Sequence, residues 1–186
     1  IAFTALVAVS RATPHQGDIS DHFDGTRFFH GERDYTFLEM VKWMWGMNPA
    51  KWPKWIEDPT YTLPPERVGK GGLRITHINH ATILIQVDGA NILTDPIWAG
   101  RASVVSWAGP KRVRAPGMKM QDLPPIDMIL ISHNHYDHLD IASLRQLTKN
   151  HSPKIIVGLG VGELLRSGGF ENIVEMDWWQ KYDSLP

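Results

Sequence analysis

Between Ser132 and Asp140 the chain reads SHNHYDHLD, and four of its side chains, His133, His135, Asp137 and His138, can ligate a metal in the pattern H-x-H-x-D-H. His133 and His135 are separated by one residue, so in an extended segment they point the same way, while Asp137 and His138 fall on the turn into a following helix. That suits two cations, one on His133 and His135 and a neighbour on Asp137 and His138, the latter pair also positioning a hydroxide. Two ions about 3.5–4 Å apart acidify a water between them and leave open positions for the anionic oxygens of a substrate. The chemistry is metal-assisted hydrolysis. Imidazole and carboxylate without thiolate favour zinc, with iron or manganese admitted at one position. The sequence contains Cys 0, which also excludes disulfides and a cysteine nucleophile. Solvated loop histidines are the alternative, and four ligand types so close together make it the weaker one.

The elements around the cluster must hold it at a strand end. Residues 127–132, DMILIS, form a continuous apolar run of the kind buried on both faces of a sheet. Open parallel sheets gather functional groups at the carboxyl ends of such strands. Asp140 can cap a helix to about residue 149; a strand over 154–158, a helix over 161–167 ended by Gly168-Gly169, and a strand over 172–176 follow. This alternation predicts parallel pairing with helices on the sheet. Upstream, residues 73–78, 81–87 and 91–94 read as strands, with Asp88-Gly89 marking a tight hairpin.

The 186 residues suffice for one ordinary domain, and 42% hydrophobic with 21% charged residues describes a globular protein. A formal charge of −1 gives no global attraction for nucleic acid, so none is expected as a partner. The chain opens at Ile1 with an apolar run over residues 1–9; residues 1–12 read as the remnant of a signal peptide or anchor, or as a packed segment. Export or membrane association is the corresponding location, the cytoplasm the alternative. Residues 13–72 read as an N-terminal extension containing an apolar helix near 36–47, which must bury most of its surface in protein or lipid. The compact domain is expected over 73–186. Its long loop carries Arg101, Lys111, Arg112, Arg114 and Lys119 without an acidic residue, a surface suited to a phosphate or an anionic lipid as well as to solvent. Trp98 and Trp107 in the same loop suit an acyl pocket or ordinary packing. His15, His22, His30 and His77 read as structural or exposed.

The H-x-H-x-D-H cluster after an apolar strand resembles the signature of the metallo-β-lactamase superfamily. Residues 76–98 (THINHATILIQVDGANILTDPIW), Arg101-Ala102-Ser103, Gly109 to Arg112 (GPKR), Leu123 to Asp127 (LPPID), Leu130 to Asp140 and Asp177-Trp178-Trp179 resemble the branch containing N-acylphosphatidylethanolamine-hydrolysing phospholipase D and its bacterial relatives. Asp21 to Gly25 (DHFDG) and Arg27-Phe28-Phe29 are similar to bacterial members. The resemblance implies an α/β fold, the metallo-β-lactamase-like αββα sandwich, of which roughly the N-terminal half is present. It implies two zinc ions per complete site, with His133 and His135 on the first and Asp137 and His138 on the second. Asp95 would orient a ligand imidazole from behind, or start a turn before Pro96. His80 matches the histidine of a GHAT motif in which Asn79 replaces glycine, and is either near the site or a structural histidine. The remaining ligands would lie beyond Pro186, so the chain is expected to be the N-terminal part of a longer protein, weak in metal binding and inactive alone. The implied reaction is cleavage of N-acylphosphatidylethanolamine to N-acylethanolamine and phosphatidic acid, in a membrane-associated and homodimeric protein. Hydrolysis of a soluble phosphodiester, phosphate ester or lactone is a second reading, and a non-enzymatic membrane-surface protein a third.

Overall fold

From Leu73 onward apolar residues alternate, and the segments pair as strands β1 (Leu73–Asn79), β2 (Thr82–Val87) and β3 (Ala90–Thr94). The structure, a computed structural model, describes residues 15–29, 36–48, 51–57, 60–103, 105 and 107–184. The segment 1–12 and His30 lie outside the described residues. Asp88 and Gly89 form the two-residue connection of the β2–β3 hairpin with φ 49° and 87°, positive values that a β-branched residue would resist and that match the right-handed twist of the flanking strands. Strands β4 (Met128–Ile131), β5 (Lys154–Gly158) and β6 (Ile173–Met176) follow, giving one six-stranded sheet in sequence order. Pairing is antiparallel from β1 to β3 and parallel from β3 to β6. Helices α2 (Ile141–His151) and α3 (Val161–Ser167) make the β4–β5 and β5–β6 crossovers, while residues 95–127 link β3 to β4; a further helix lies upstream.

One face of the sheet carries the core. Leu84, Leu93, Ile129, Ile155 and Val157 meet Leu144 and Leu147 of α2, Leu165 of α3 and Phe170. On the other face Ile83, Ile85, Ile92, Leu130, Ile156 and Val174 are half-buried. The apolar run 127–132 is therefore covered fully on one side only: Met128, Ile129 and Ile131 are buried, while Leu130 is half-buried among the described residues. A polar clasp closes the end of the sheet away from the histidines. Fully buried Gln86 donates to Asn91 Oδ1 at 3.0 Å, and Asn91 donates to the Glu66 and Pro125 carbonyls at 2.8 and 2.6 Å.

Helix α1 (Phe37–Gly46) forms, with a boundary set by its cap: the Thr36 hydroxyl accepts from the Glu39 amide at 3.3 Å, and the Glu39 carboxylate accepts from the Thr36 amide at 2.8 Å. Among the described residues no protein element covers the apolar surface of this helix. None of its residues is buried, and Trp45 is 89% and Leu38 77% exposed, because no described element packs over it.

Candidate metal centre

The site is assembled where β3, β4 and the β1–β2 turn end side by side. Asp95 leaves β3 with φ 34°, an uncommon left-handed conformation that Asp tolerates better than most residues. Its amide donates to the Leu130 carbonyl at 2.8 Å, which keeps the chain in register with β4. The carboxylate, 6% exposed, accepts from the Ser132 amide and hydroxyl, both at 2.7 Å, and from His138 Nδ1 at 2.9 Å. A carboxylate only accepts, so His138 holds its proton on Nδ1 and presents the Nε2 lone pair outward. That nitrogen stands 3.6 Å from Asp137 Oδ2.

His80 sits on the tight turn between β1 and β2 with φ 41°. Its Nε2 lies 3.0 Å from the same Asp137 Oδ2, and donor atoms of His80, Asp137 and His138 all fall within 4.8 Å of one another. Sequence reasoning located His80 only loosely; the structure brings it into direct reach of Asp137 as a candidate ligand in its own right. Beside this trio, His133 Nε2 and His135 Nδ1 are 3.1 Å apart, and the His133 and His138 rings are 4.0 Å between centroids. All four residues of the H-x-H-x-D-H pattern thus converge with His80 and Asp95.

The donor spacings suit cations. Ligands at about 2.0–2.1 Å from a tetrahedral zinc stand about 3.3 Å apart along an edge. Here the separations are 3.1 Å for His133 with His135, 3.0 Å for His80 with Asp137 and 3.6 Å for His138 with Asp137. Protonation favours loading as well. Desolvation, followed by the neighbouring His138 and His135, lowers the pKa of His133 and keeps it neutral. Desolvation acts to raise that of Asp137, but its own backbone amide and the His138 and His80 imidazoles outweigh it and hold the carboxyl below its ordinary range.

Asp140 anchors the loop's far end. It caps α2 through the Ala142 and Ser143 amides at 3.1 and 3.4 Å, and its other oxygen accepts from the Trp98 and Ala99 amides at 3.3 and 2.9 Å. His151, the one histidine downstream of the cluster, sits at the opposite end of α2 with its Nδ1 accepting from the Ile126 amide at 3.4 Å, far from the metal loop. His77 is exposed, and His22 is buried against Trp178.

The cluster lies between two clefts. A larger one of about 1090 Å³ is lined by Arg101, Lys111 and Arg114 together with His80, His135 and Asp137. Arg112 serves the scaffold, donating to the Ala99 carbonyl at 2.9 and 2.7 Å. Trp98 is half-buried, its indole N–H donating to the Met118 carbonyl at 3.0 Å, whereas Trp107 is exposed. A smaller cleft of about 500 Å³ reaches His133 from the other side.

The mixed α/β sheet gathers a histidine-aspartate cluster at the carboxyl ends of its central strands, where open α/β sheets place their functional groups. Residues 90–184, about half of the chain, match the beta-lactamase superfamily domain, and the chain belongs to that superfamily. It is similar to N-acyl-phosphatidylethanolamine-hydrolyzing phospholipase D 1 of Caenorhabditis elegans, with 41% identity over 130 residues covering 63% of this chain and 36% of the relative. It is also similar to the mitochondrial N-acyl-phosphatidylethanolamine-hydrolyzing phospholipase D of Saccharomyces cerevisiae, 38% identical over 93 residues, 50% of this chain and 20% of the relative. A metal-dependent hydrolase of Koribacter versatilis is 32% identical over 107 residues, 57% of this chain and 40% of the relative. The chain therefore spans between a fifth and two fifths of the length of these relatives.

Proposed function

We propose that the full-length protein is a zinc-dependent phosphodiester hydrolase whose substrate is a phospholipid, cleaved in the phospholipase D manner from N-acylphosphatidylethanolamine to N-acylethanolamine and phosphatidic acid. The convergence of His133, His135, Asp137 and His138 with Asp95 behind them carries the proposal. His133 and His135 would hold one zinc, Asp137 and His138 the other, with His80 able to join the second set. A cation held there would lower the pKa of water and neutralise charge on phosphoryl oxygens. Asp95 keeps the proton of His138 on Nδ1, so that Nε2 remains a donor. Arg101, Lys111 and Arg114 would orient the anionic diester from the larger cleft.

The likeness to the two phospholipases favours the lipid over other diesters. The exposed Phe37, Trp43 and Trp45 of α1 support contact with a membrane surface, as an interfacial rather than a spanning element. No described helix is long and apolar enough to cross a membrane.

The test uses the full-length protein loaded with zinc, assayed on vesicles containing N-acylphosphatidylethanolamine and on a soluble nitrophenyl phosphodiester. Release of N-acylethanolamine, abolished by His135→Ala, is expected. Turnover of the soluble diester alone would replace the lipid by a soluble substrate. Absence of both, with less than about one equivalent of zinc bound, would refute the hydrolase reading.

A further inference from the structure

The smaller cleft is built by segments far apart in sequence. Residues 22–29 form a short hairpin: Phe23 and Phe28 face each other in an antiparallel bridge, the Phe29 amide donates to the His22 carbonyl at 2.9 Å, and Gly25 turns the chain with φ 91°. Phe23 is buried, while Phe28 leaves 43% of its surface open. Opposite this hairpin, Met176 ends β6, Trp178 follows it, and Val161 begins α3; with Phe28 they give the cleft aromatic and aliphatic walls. The inner end reaches Ser132 and His133.

His22 holds the two sides together. It is 6% exposed, its Nδ1 lies 2.6 Å from Asp21 Oδ1 and its Nε2 2.7 Å from Asp177 Oδ1, and its ring stacks on Trp178 at 4.4 Å and 13°. Carboxylates accept from both nitrogens, so the imidazole carries both protons and works as a cationic clasp between the hairpin and the exit of β6.

The two clefts differ in chemistry. His135 and Asp137 open onto the cationic one, and His133 onto the aromatic one. A phosphoryl group at the ligand cluster would then have charge-complementary surface on one side and apolar surface on the other. We propose that the aromatic cleft receives an alkyl arm of the substrate, with His22 as the positioning residue that keeps its hairpin wall in place. This rests on the hydrolase reading for its substrate, and its volume of about 500 Å³ falls within the range of pockets that bury an organic group of drug size.

The test compares two diesters with a common leaving group, p-nitrophenyl methyl phosphate and p-nitrophenyl octyl phosphate, on the zinc-loaded full-length protein. Each buried methylene is worth about fourfold in affinity, so the octyl ester is expected to show kcat/KM at least about tenfold higher, through KM. Phe28→Ala, Trp178→Ala and His22→Gln are each expected to reduce that octyl-to-methyl ratio several-fold. Asp177→Asn, which retains an acceptor for His22 Nε2, should keep most of the parent's ratio. Generally damaged folding would lower both substrates together and leave the ratio unmoved; an unmoved ratio in correctly folded variants overturns the proposal. If neither diester turns over, the hydrolase reading has failed, and calorimetric binding of octyl phosphate against methyl phosphate reads the cleft directly. Octyl phosphate is then expected to bind at least about tenfold more tightly, with the advantage lost in Phe28→Ala; equal affinities overturn the proposal.

Discussion

Replacing Asp95 by asparagine preserves the shape of the side chain and exchanges one acceptor for a donor, at the position where three donors converge. The Ser132 amide requires an acceptor at 2.7 Å, so the asparagine carbonyl must take the place of Oδ1 and its NH₂ group the place of Oδ2. The inverse rotamer would set two donors against each other. With NH₂ at the Oδ2 position, the Ser132 hydroxyl can rotate to accept, but His138 Nδ1 at 2.9 Å must surrender its proton. The proton moves to Nε2, the atom 3.6 Å from Asp137, and the lone pair that would meet a cation is lost. Loss of such a supporting bond lowers metal affinity by about 10–100-fold, or about 1.4–2.8 kcal/mol. Competition for zinc between the full-length protein and a chromophoric chelator measures this, and ¹⁵N shifts of His138 in the metal-free protein report the tautomer. An Asp95→Asn variant binding zinc within about threefold of the parent, with His138 still protonated on Nδ1, would refute the reasoning.

Asp140→Ala removes the cap of α2 and the acceptor of the Ala99 amide, while the Trp98 amide keeps its 2.8 Å bond to the Ser143 hydroxyl, so it is expected to destabilise by about 2 kcal/mol, roughly 1 from the cap and about 1 from the orphaned amide. Urea unfolding should show the loss, with Asp140→Asn costing less than half as much; under 1 kcal/mol for the alanine variant would contradict the assigned role. His22 faces Asp21, Asp177, the Ser20 hydroxyl and the Trp178 and Phe28 rings, and its pKa is raised, first by the bond to Asp21 and then by Asp177, against desolvation. A folded pKa above the unfolded one of about 6.5 stabilises fully below the latter, and that stability is lost as pH rises through the folded value. The His22 ring signal is accordingly expected to titrate above the ordinary histidine value, with amide exchange in residues 20–29 quickening over the same pH interval beyond its intrinsic increase. A midpoint at or below the ordinary value counts against the clasp.

Much of the domain was legible because its signals are local. The positive-φ preference of Asp88-Gly89 specifies the hairpin, and the limits expected for the strand 154–158 and the helix 161–167 coincide with β5 and α3. The convergence of His133, His135, Asp137 and His138 was readable for the same reason, since six consecutive residues carry it. What escaped depends on partners distant along the chain. His80 meets Asp137 only because β1 and β2 end beside β4, a juxtaposition that its motif hinted at without fixing. His22 has one acidic neighbour visible in the sequence and a second, Asp177, at the far end of the sheet. Gln86 and Asn91 read as ordinary polar strand residues, yet they are fully buried to tie residues 65 and 66 to the strands. The apolar composition of α1 identifies surface that prefers to leave water and says nothing of where cover comes from.

The bonds from Asp95 to Ser132 and His138 are made wholly within the polypeptide. They tie the exit of β3 to the first residue after β4 and to a side chain six residues further on, so a disturbance at any one of these three points is handed on to the other two.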